Sequence, residues 1–448
     1  MKVTFIMPSV GKRPGGKYVR TWQMEPLPIA TLAGLTPVDV EVSFFDDRFE
    51  NINFDLSTDL VAITVEAYTA KRAYEIVREY HQRGVKTVLG GYHVTLRPEE
   101  AQRYADSIVI GYAELIWGQV MRDAQAGCLK RRYSQDRSVS YNFVLPRREI
   151  FGTRSYFPLS CVETGRGCPF GCNFCSIAAV TSSTYTARSI DSVVEEIALL
   201  QNREVFFVED NFVGNPAHAK DLCRELIPHK IKWVGQGTLT MANDCELLEL
   251  MARSGCVGIL IGFESLRRDT LASMGKKVNI KLGDYKRLID IIHGYGIALY
   301  GTFVFGYGNE TKEDIQRTTE AAIDFGLFIG AFNHLVPFPG TPLYEQFQSG
   351  GQLTDDEWWL SPSFRFGDIV FRPNGISAEE LHKACIEARR KFYSFRSIVR
   401  RASNIRGNCS SVKKAGVFAY VNWLLRREIT QRDGLPLGEK PTLPEPIY

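Results

Sequence analysis

The chain lacks the long apolar runs that cross membranes: no stretch approaches the roughly 18 to 20 consecutive apolar residues a spanning helix needs. No secretory leader is expected from its N-terminal pattern. The N-terminus MKVTFIMPSVGK breaks its short apolar run at Pro8 and has no cleavage-site pattern, so it reads as a first strand. It lacks a surplus of one charge. Lys and Arg number 54 and Asp and Glu 51, and a formal +3 leaves no footprint for nucleic acid over the whole chain. Cysteine is sparse, ten in 448 residues, which excludes a disulfide scaffold and fits a reducing, cytoplasmic compartment. No internal repeat is visible beyond an alternation of strand-like and helix-like segments. What remains is globular in composition, 44% hydrophobic and 23% charged. At about 150 residues per domain, the length corresponds to two or three domains.

Seven cysteines are scattered (Cys128, Cys161, Cys223, Cys245, Cys256, Cys385 and Cys409), and no two of them form a C-x-x-C pair. Each reads as a small apolar core residue. The other three, Cys168, Cys172 and Cys175, fall within eight residues in CPFGCNFC. Three thiolates on a loop broken by glycine and proline can wrap one soft metal centre. Zinc needs a fourth close ligand to complete a tetrahedron, and the next histidine, His218, lies more than forty residues on. A [4Fe-4S] cube held by three cysteines instead keeps one iron open. This C-x3-C-x2-C spacing, with Phe174 before the last cysteine, resembles the radical SAM superfamily. The resemblance implies that the open iron binds the amino and carboxylate groups of S-adenosylmethionine. One electron from the cluster then cleaves the sulfonium to a 5'-deoxyadenosyl radical. It also implies a reducing partner such as flavodoxin or ferredoxin.

Residues 1–127 alternate β-branched runs with helical stretches, the pattern of an α/β, doubly wound parallel sheet. Strands are expected at Lys2–Met7, Val40–Phe45, Leu60–Val65, Val85–Leu89 and Ser107–Ile110. Residues 128–158 read as an irregular linker. Residues 159–342 carry six strand patterns with helices between them: Leu159–Glu163, Glu204–Val208, Lys232–Gly235, Val257–Gly262, Ala298–Val304 and Ile329–Leu335. That is a partial (β/α)6 barrel, since a full eight-stranded barrel needs about 250 residues. Residues 343–448 read as an aromatic, mainly helical region with a Pro-rich extended tail. Its Trp358-Trp359 and Phe364-Arg365-Phe366 suggest a lid that keeps water from a carbon radical. Between Ile386 and Glu428 there are eleven Lys or Arg and two acidic residues. Such a run reads first as a solvated helical face, with an acidic partner such as a flavodoxin-like electron donor as the alternative.

Chemistry in βα folds gathers at the carboxyl ends of strands. In the first domain Glu66, Tyr68, Gly91 and His93 lie there. In the barrel the second strand ends in Glu209-Asp210-Asn211, where radical SAM proteins often carry Gly-Gly-Glu. A carboxylate or amide at that point can accept from the ammonium of S-adenosylmethionine. The third strand ends in Gln236-Gly237-Thr238. The fourth ends at Glu264, a position that in relatives bonds the methionine or ribose part of the cofactor. The fifth brings Phe305, with Gly306 and Gly308, towards an adenine ring. The sixth presents Asn333 and His334. Each has a plainer reading: Glu209 and Asp210 as helix caps, Glu264 as a surface acid, His334 as a packed core residue. Arg365 reads as a substrate clamp or a domain bridge.

The whole chain resembles the radical SAM class with an N-terminal cobalamin-binding-type domain. MPSVG, GGYHVTLRPEEA, IGYAE, VETGRGCPFGCNFC, FVEDNF and FNHLVPFPGTPLY carry the resemblance. The D-x-H-x-x-G motif, whose histidine would ligate cobalt from below, is absent. The charged, aromatic Lys12–Tyr18 and Thr21-Trp22-Gln23 follow the first strand, where they would block a corrin face. The expectation is therefore a scaffold domain, with cobalamin left open. The expected reaction is dehydration of a sugar diol, similar to the radical SAM diol dehydratase of apramycin-type aminoglycoside biosynthesis. That reaction needs a base and an acid, and Glu66, Tyr68, Glu209 and His334 are the candidates. The alternative is cobalamin-dependent C-methyl transfer in secondary metabolism. A third reading is a non-catalytic cluster protein. A small-molecule substrate is expected, and a homodimer is compatible with the layout.

Overall fold

The structure, a computed structural model, describes the chain apart from residues 13–17, 20, 135–142, 441 and 444. The first sheet contains β1 (Lys2–Met7), β2 (Glu41–Asp46), β3 (Leu60–Thr64), β4 (Lys86–Gly90), β5 (Ser107–Ile110) and β6 (Arg132–Ser134). Its order is β2-β1-β3-β4-β5-β6, and every pairing is parallel. Alternate residues bury opposite faces. Val3, Phe5, Leu60, Ala62, Val88 and Val109 pack with Trp117 and Met121. Val61, Ile63, Leu89 and Ile108 pack instead against helix α1 (Ala70–His81). Burial on both faces explains the β-branched runs in these strands. The order reverses between β1 and β3, and the C-terminal tail crosses the carboxyl ends there: Gly438 N–H donates to Val10 O at 3.0 Å and Glu439 pairs with Arg72 at 3.2 Å.

The stretch read as a linker supplies β6, and its Phe151 and Tyr156 pack on Phe44 and Phe49. It completes the first domain's packing; a three-residue strand flanked by charge carries too short an alternation to be read. The RSVSYN part of that stretch and most of the Lys12–Tyr18 loop lie outside the described residues.

The second sheet follows β7 (Ser160–Val162). A short antiparallel ribbon, β8 (Gly165–Gly167) with β9 (Tyr185–Ala187), intervenes. The sheet resumes with β10 (Glu204–Phe207), β11 (Lys232–Gly237), β12 (Cys256–Glu264), β13 (Ala298–Phe305) and β14 (Ile329–His334). Its order is β14-β13-β12-β11-β10-β7, all parallel, the six strands of a partial barrel. On the helix-facing side Phe263, Phe303 and Phe332 stack at centroid distances of 5.3 Å. Phe206, Gln236, Leu260, Tyr300, Thr302, Val304 and Asn333 alternate with such residues, face the lumen, and are not fully covered.

The aromatic segment after residue 343 is a wedge between the domains. Trp358 and Trp359 are fully buried. Trp359 Nε1 donates to the Glu100 carboxylate at 3.1 and 3.2 Å, where Tyr74 OH (2.8 Å) and His93 Nε2 (3.0 Å) also converge. The expected lid is thus fixed core. The tail is not free either. The backbone N–H groups of Glu439 and Lys440 donate to Glu75 on α1, and Tyr448 OH donates to Asp106 at 2.7 Å.

Candidate active site at the cluster loop

The ribbon β8–β9 brings residues 167 and 185 together, so the cysteine loop starts and ends at one place. Gly167 has φ +91°, and a Cβ there would run into the Thr184 carbonyl. Asp210 Oδ2 accepts from Gly167 N–H at 2.8 Å. Asn173 Nδ2 donates to Ser273 O at 2.9 Å and to Tyr307 OH at 2.8 Å, which ties the loop to the short helix Arg268–Ser273 after β12 and to the turn after β13. Cys175 is the N-cap residue of helix α2 (Ser176–Thr181), which places its sulfur beside the first amides of that helix. Asn211 Nδ2 reaches Cys168 Sγ at 3.8 Å. Burial pushes all three thiols up, Cys172 to about 11. Their thiolates therefore form together with a bound cation.

Three thiols stand on one loop, residues 167–175, that holds no His, Asp or Glu to close a zinc tetrahedron, whereas a cube seats each thiolate on a different iron. The donor set fits the cube.

Beside Cys168 lies a group of buried acceptors. Glu209 is 2% exposed; Tyr185 OH donates to its Oε2 at 3.1 Å, and its Oε1 has no partner. Asn211 Oδ1 is likewise buried and unpartnered, and Thr164 lies alongside Glu209 without a well-formed hydrogen bond. Burial pushes Glu209 up to about 8. Buried acceptors without donors fit a ligand that brings N–H groups, and an ammonium brings three. S-adenosylmethionine meets that requirement. Gln236 Nε2 donates to Glu209 O at 3.2 Å and supports this turn, while Thr238 pairs with Thr240 at 2.6 Å.

On the other side of the loop, β12 breaks its register between Gly262 and Glu264. Glu264 has φ +62°, uncommon for a residue with a Cβ. Its carboxylate pairs with Lys276, which stands near Cys172 and Cys175. Phe174 is half-buried on the loop.

Other expected positions fall elsewhere. Phe305 is a correction: its ring is 1% exposed and stacks with Phe332 on the helix-facing side, because strand alternation turns Val304 to the lumen instead. Tyr68 is wedged among Phe338, Trp358 and Phe366 at 5.0 to 5.9 Å. His334 Nδ1 lies 3.0 Å from Leu335 O. Asn333 is exposed in the lumen, and Arg389 donates to its Oδ1 at 3.1 Å. Arg365 donates to Pro362 O and Phe364 O at 2.8 and 2.9 Å, so its guanidinium braces its own loop.

Sequence reading missed Tyr185, Lys276 and Glu310. Glu310 accepts from Ser265 Oγ at 2.8 Å and Gly306 N–H at 3.0 Å, joining the ends of β12 and β13. None of the three lies in a motif, and only the fold brings them in.

The first domain faces this site. Arg166 of the cluster segment donates to Glu163 and Glu114 at 2.7 Å and lies 4.4 Å from the Tyr112 ring centroid. Burial raises the Tyr92 phenol, with Asp210 and Glu66 close enough to add to the effect. Glu66 keeps an exposed side chain, yet desolvation pushes it up to about 7. His93 turns away to Glu100 and Trp359, so it is not offered to this site. The described ends of the Lys12–Tyr18 loop both bond Asn51 Oδ1, at 3.0 and 2.8 Å, on the β2 side of the first sheet.

Residues 162–322 match the Radical SAM superfamily and residues 31–120 the B12 binding domain. The chain thus carries a radical SAM domain preceded by a B12-binding domain, and a radical SAM domain implies a [4Fe-4S] cluster and S-adenosylmethionine. Bacteriochlorophyllide d C-12(1)-methyltransferase of Chlorobaculum tepidum is 28% identical over 90% of this chain and 88% of its own length. Hopanoid C-2 methylase of Rhodopseudomonas palustris is 23% identical over 75% of this chain and 66% of its own. Among solved structures, the radical S-adenosylmethionine methyltransferase TsrM from Kitasatospora setae, bound to tryptophan and a SAM analogue, superposes with a TM-score of 0.61. It shares 20% identity and covers 78% of this chain and 76% of its own. The cobalamin-dependent radical enzyme OxsB gives 0.65 at 14% identity, covering 96% and 71%. Both share the fold. No helix among the described residues is long and apolar enough to cross a membrane.

Proposed function

We propose that this protein is a cobalamin-dependent radical SAM C-methyltransferase. One observation carries the reading. Glu66, Tyr92 and Tyr112 at the strand ends of the B12-binding domain stand close to Arg166 and Asp210 beside the cluster loop. When bound there, the cluster with S-adenosylmethionine supplies a radical that removes hydrogen, and cobalamin supplies the methyl group. The chain's own residues bind and orient. Glu209 and Asn211 offer acceptors to the nucleoside's ammonium, Tyr185 orients Glu209, and Lys276 fixes Glu264. Leu260, Tyr300 and Val304 line the lumen and help keep water from a reactive carbon. The names of the matched relatives, together with this lining, support a large and mostly apolar substrate. A flavodoxin-type reductant and a cytoplasmic location belong to the proposal.

Dehydration draws less support. It needs an acid and a base at neighbouring oxygens. Among the described residues, no hydrogen bond or ion pair joins any two of Glu66, Tyr68, Glu209 and His334, and Tyr68 is enclosed by aromatic rings. The matched relatives also favour methyl transfer.

The test is an anaerobic reaction of the reconstituted, cobalamin-loaded protein with S-adenosylmethionine carrying a deuterated methyl group. A product that has gained the label supports methyl transfer. A product that has lost water and carries no label overturns it.

A further inference from the structure

The C-terminal helices α3 (Ala378–Phe392), α4 (Phe395–Ala402), α5 (Ile405–Asn408) and α6 (Val412–Arg427) include one that is inside out. The buried face of α4 is polar. Ser397 and Arg401 are 4% and 0% exposed. The Arg401 guanidinium donates to Leu327 O, Phe328 O, Phe392 O and Asn422 Oδ1 at 2.8 to 3.2 Å. Its apolar residues point outward: Phe395 and Val399, one turn apart, are 65% and 72% exposed. Ile405, Val412, Tyr420 and Trp423 are exposed as well. Val412, Tyr420 and Trp423 share one stripe of α6 at helical spacing. Arg426 of α6 lies 4.4 Å from the Phe395 ring centroid, which joins the two helices into one surface.

The rim is basic. Arg396, Arg406 and Arg427 have no carboxylate partner among the described residues. The two acidic residues of the stretch are engaged elsewhere, Glu387 with Lys312 and Glu428 with the Trp22 indole. Exposed apolar side chains gathered on one face beside arginines mark a binding surface.

The setting decides the occupant. A second copy docked by two-fold symmetry would set arginine against arginine. A reductant would be at the wrong end. Arg401 and Asn408 bond carbonyls 326–328, just before β14, and Lys414 bonds Gly296 O, just before β13. The face therefore covers the amino ends of the strands, and strands of this length hold it roughly 20–30 Å from the cluster loop. An anionic bilayer suits both parts of the surface. Apolar and Trp or Tyr side chains enter the boundary below the headgroups, and arginines meet the phosphates. We propose that the α4–α6 face docks this protein peripherally on an anionic membrane surface.

The experiment is co-sedimentation of the full-length protein with phosphatidylcholine vesicles, with and without phosphatidylglycerol. The intact protein is expected to pellet with the mixed vesicles, not with pure phosphatidylcholine, and to be released by salt. Val399→Asp and the double variant Arg396→Glu/Arg427→Glu should each lower the partition coefficient about tenfold or more. Their iron content and gel-filtration profile should stay unchanged. No binding of the intact protein to mixed vesicles overturns the proposal. So does a native dimer that Val399→Asp converts to monomer, or a photo-crosslinker at Val399 that captures an acidic protein instead of lipid.

Discussion

The Glu264–Lys276 ion pair lies directly over Gly262, at the point where β12 breaks register. A Cβ on Gly262 would clash with both charged groups. A left-handed Glu264 costs about 1–3 kcal/mol, and the surrounding contacts hold it there, next to the cysteine loop. Both side chains are about nine-tenths covered, so removing one partner strands the other's charge. Lys276→Met should lower stability by about 3–5 kcal/mol, and adding Glu264→Gln should recover most of it. Thermal unfolding of the two variants checks this. Gly262→Ala should keep the iron and weaken S-adenosylmethionine binding, measured by calorimetry.

Trp359 and Glu100 tie the barrel side of the molecule to the first domain. Trp359→Phe removes the donor and leaves a buried carboxylate short of a partner, at a cost of about 1–3 kcal/mol. The melting temperature should fall. The ratio of deoxyadenosine to product should not rise, because this segment is core and not a lid.

Glu310 is buried, and desolvation pushes it from 4.5 to about 7. A raised carboxyl favours the folded state while protonated. Its contribution is complete below about pH 4.5 and is lost as the pH rises through about 7. Glu310→Gln imitates the neutral acid. Near pH 8 it should exceed the native protein's stability by up to about 3 kcal/mol, with the gap closing as the pH falls. Denaturant unfolding at several pH values reads this directly.

Replacing Cys168, Cys172 and Cys175 with alanine should abolish iron binding and cleavage of S-adenosylmethionine together, as measured by iron analysis and chromatography. Cys161→Ala, at a scattered position buried in the core, should leave both intact.

Much of this was legible in the sequence. The parallel strands bury both faces, so β-branched runs marked β3 and β5 to within a residue. Local signals end where long-range contacts begin. The strand β6 was too short to alternate. Phe305 was misread because the lumen side of β13 depends on pleat parity, which Val304 and Phe303 reveal only once their neighbours are known. Tyr185 meets Glu209 across 24 residues, and Trp359 meets Glu100 across 259. No periodicity carries such pairings. Cobalamin was doubted because a histidine motif was missing and a loop looked obstructive. The loop's described ends bond Asn51, its residues 13–17 lie outside the described residues, and the match to the B12 binding domain keeps cobalamin open.

The most direct measurement is corrin retention. Anaerobically reconstituted protein is incubated with hydroxocobalamin, passed through a desalting column, and its spectrum recorded beside its iron content. A retained corrin band at about one cobalamin per chain is predicted. A corrin-free protein that still forms deoxyadenosine from S-adenosylmethionine would contradict the account.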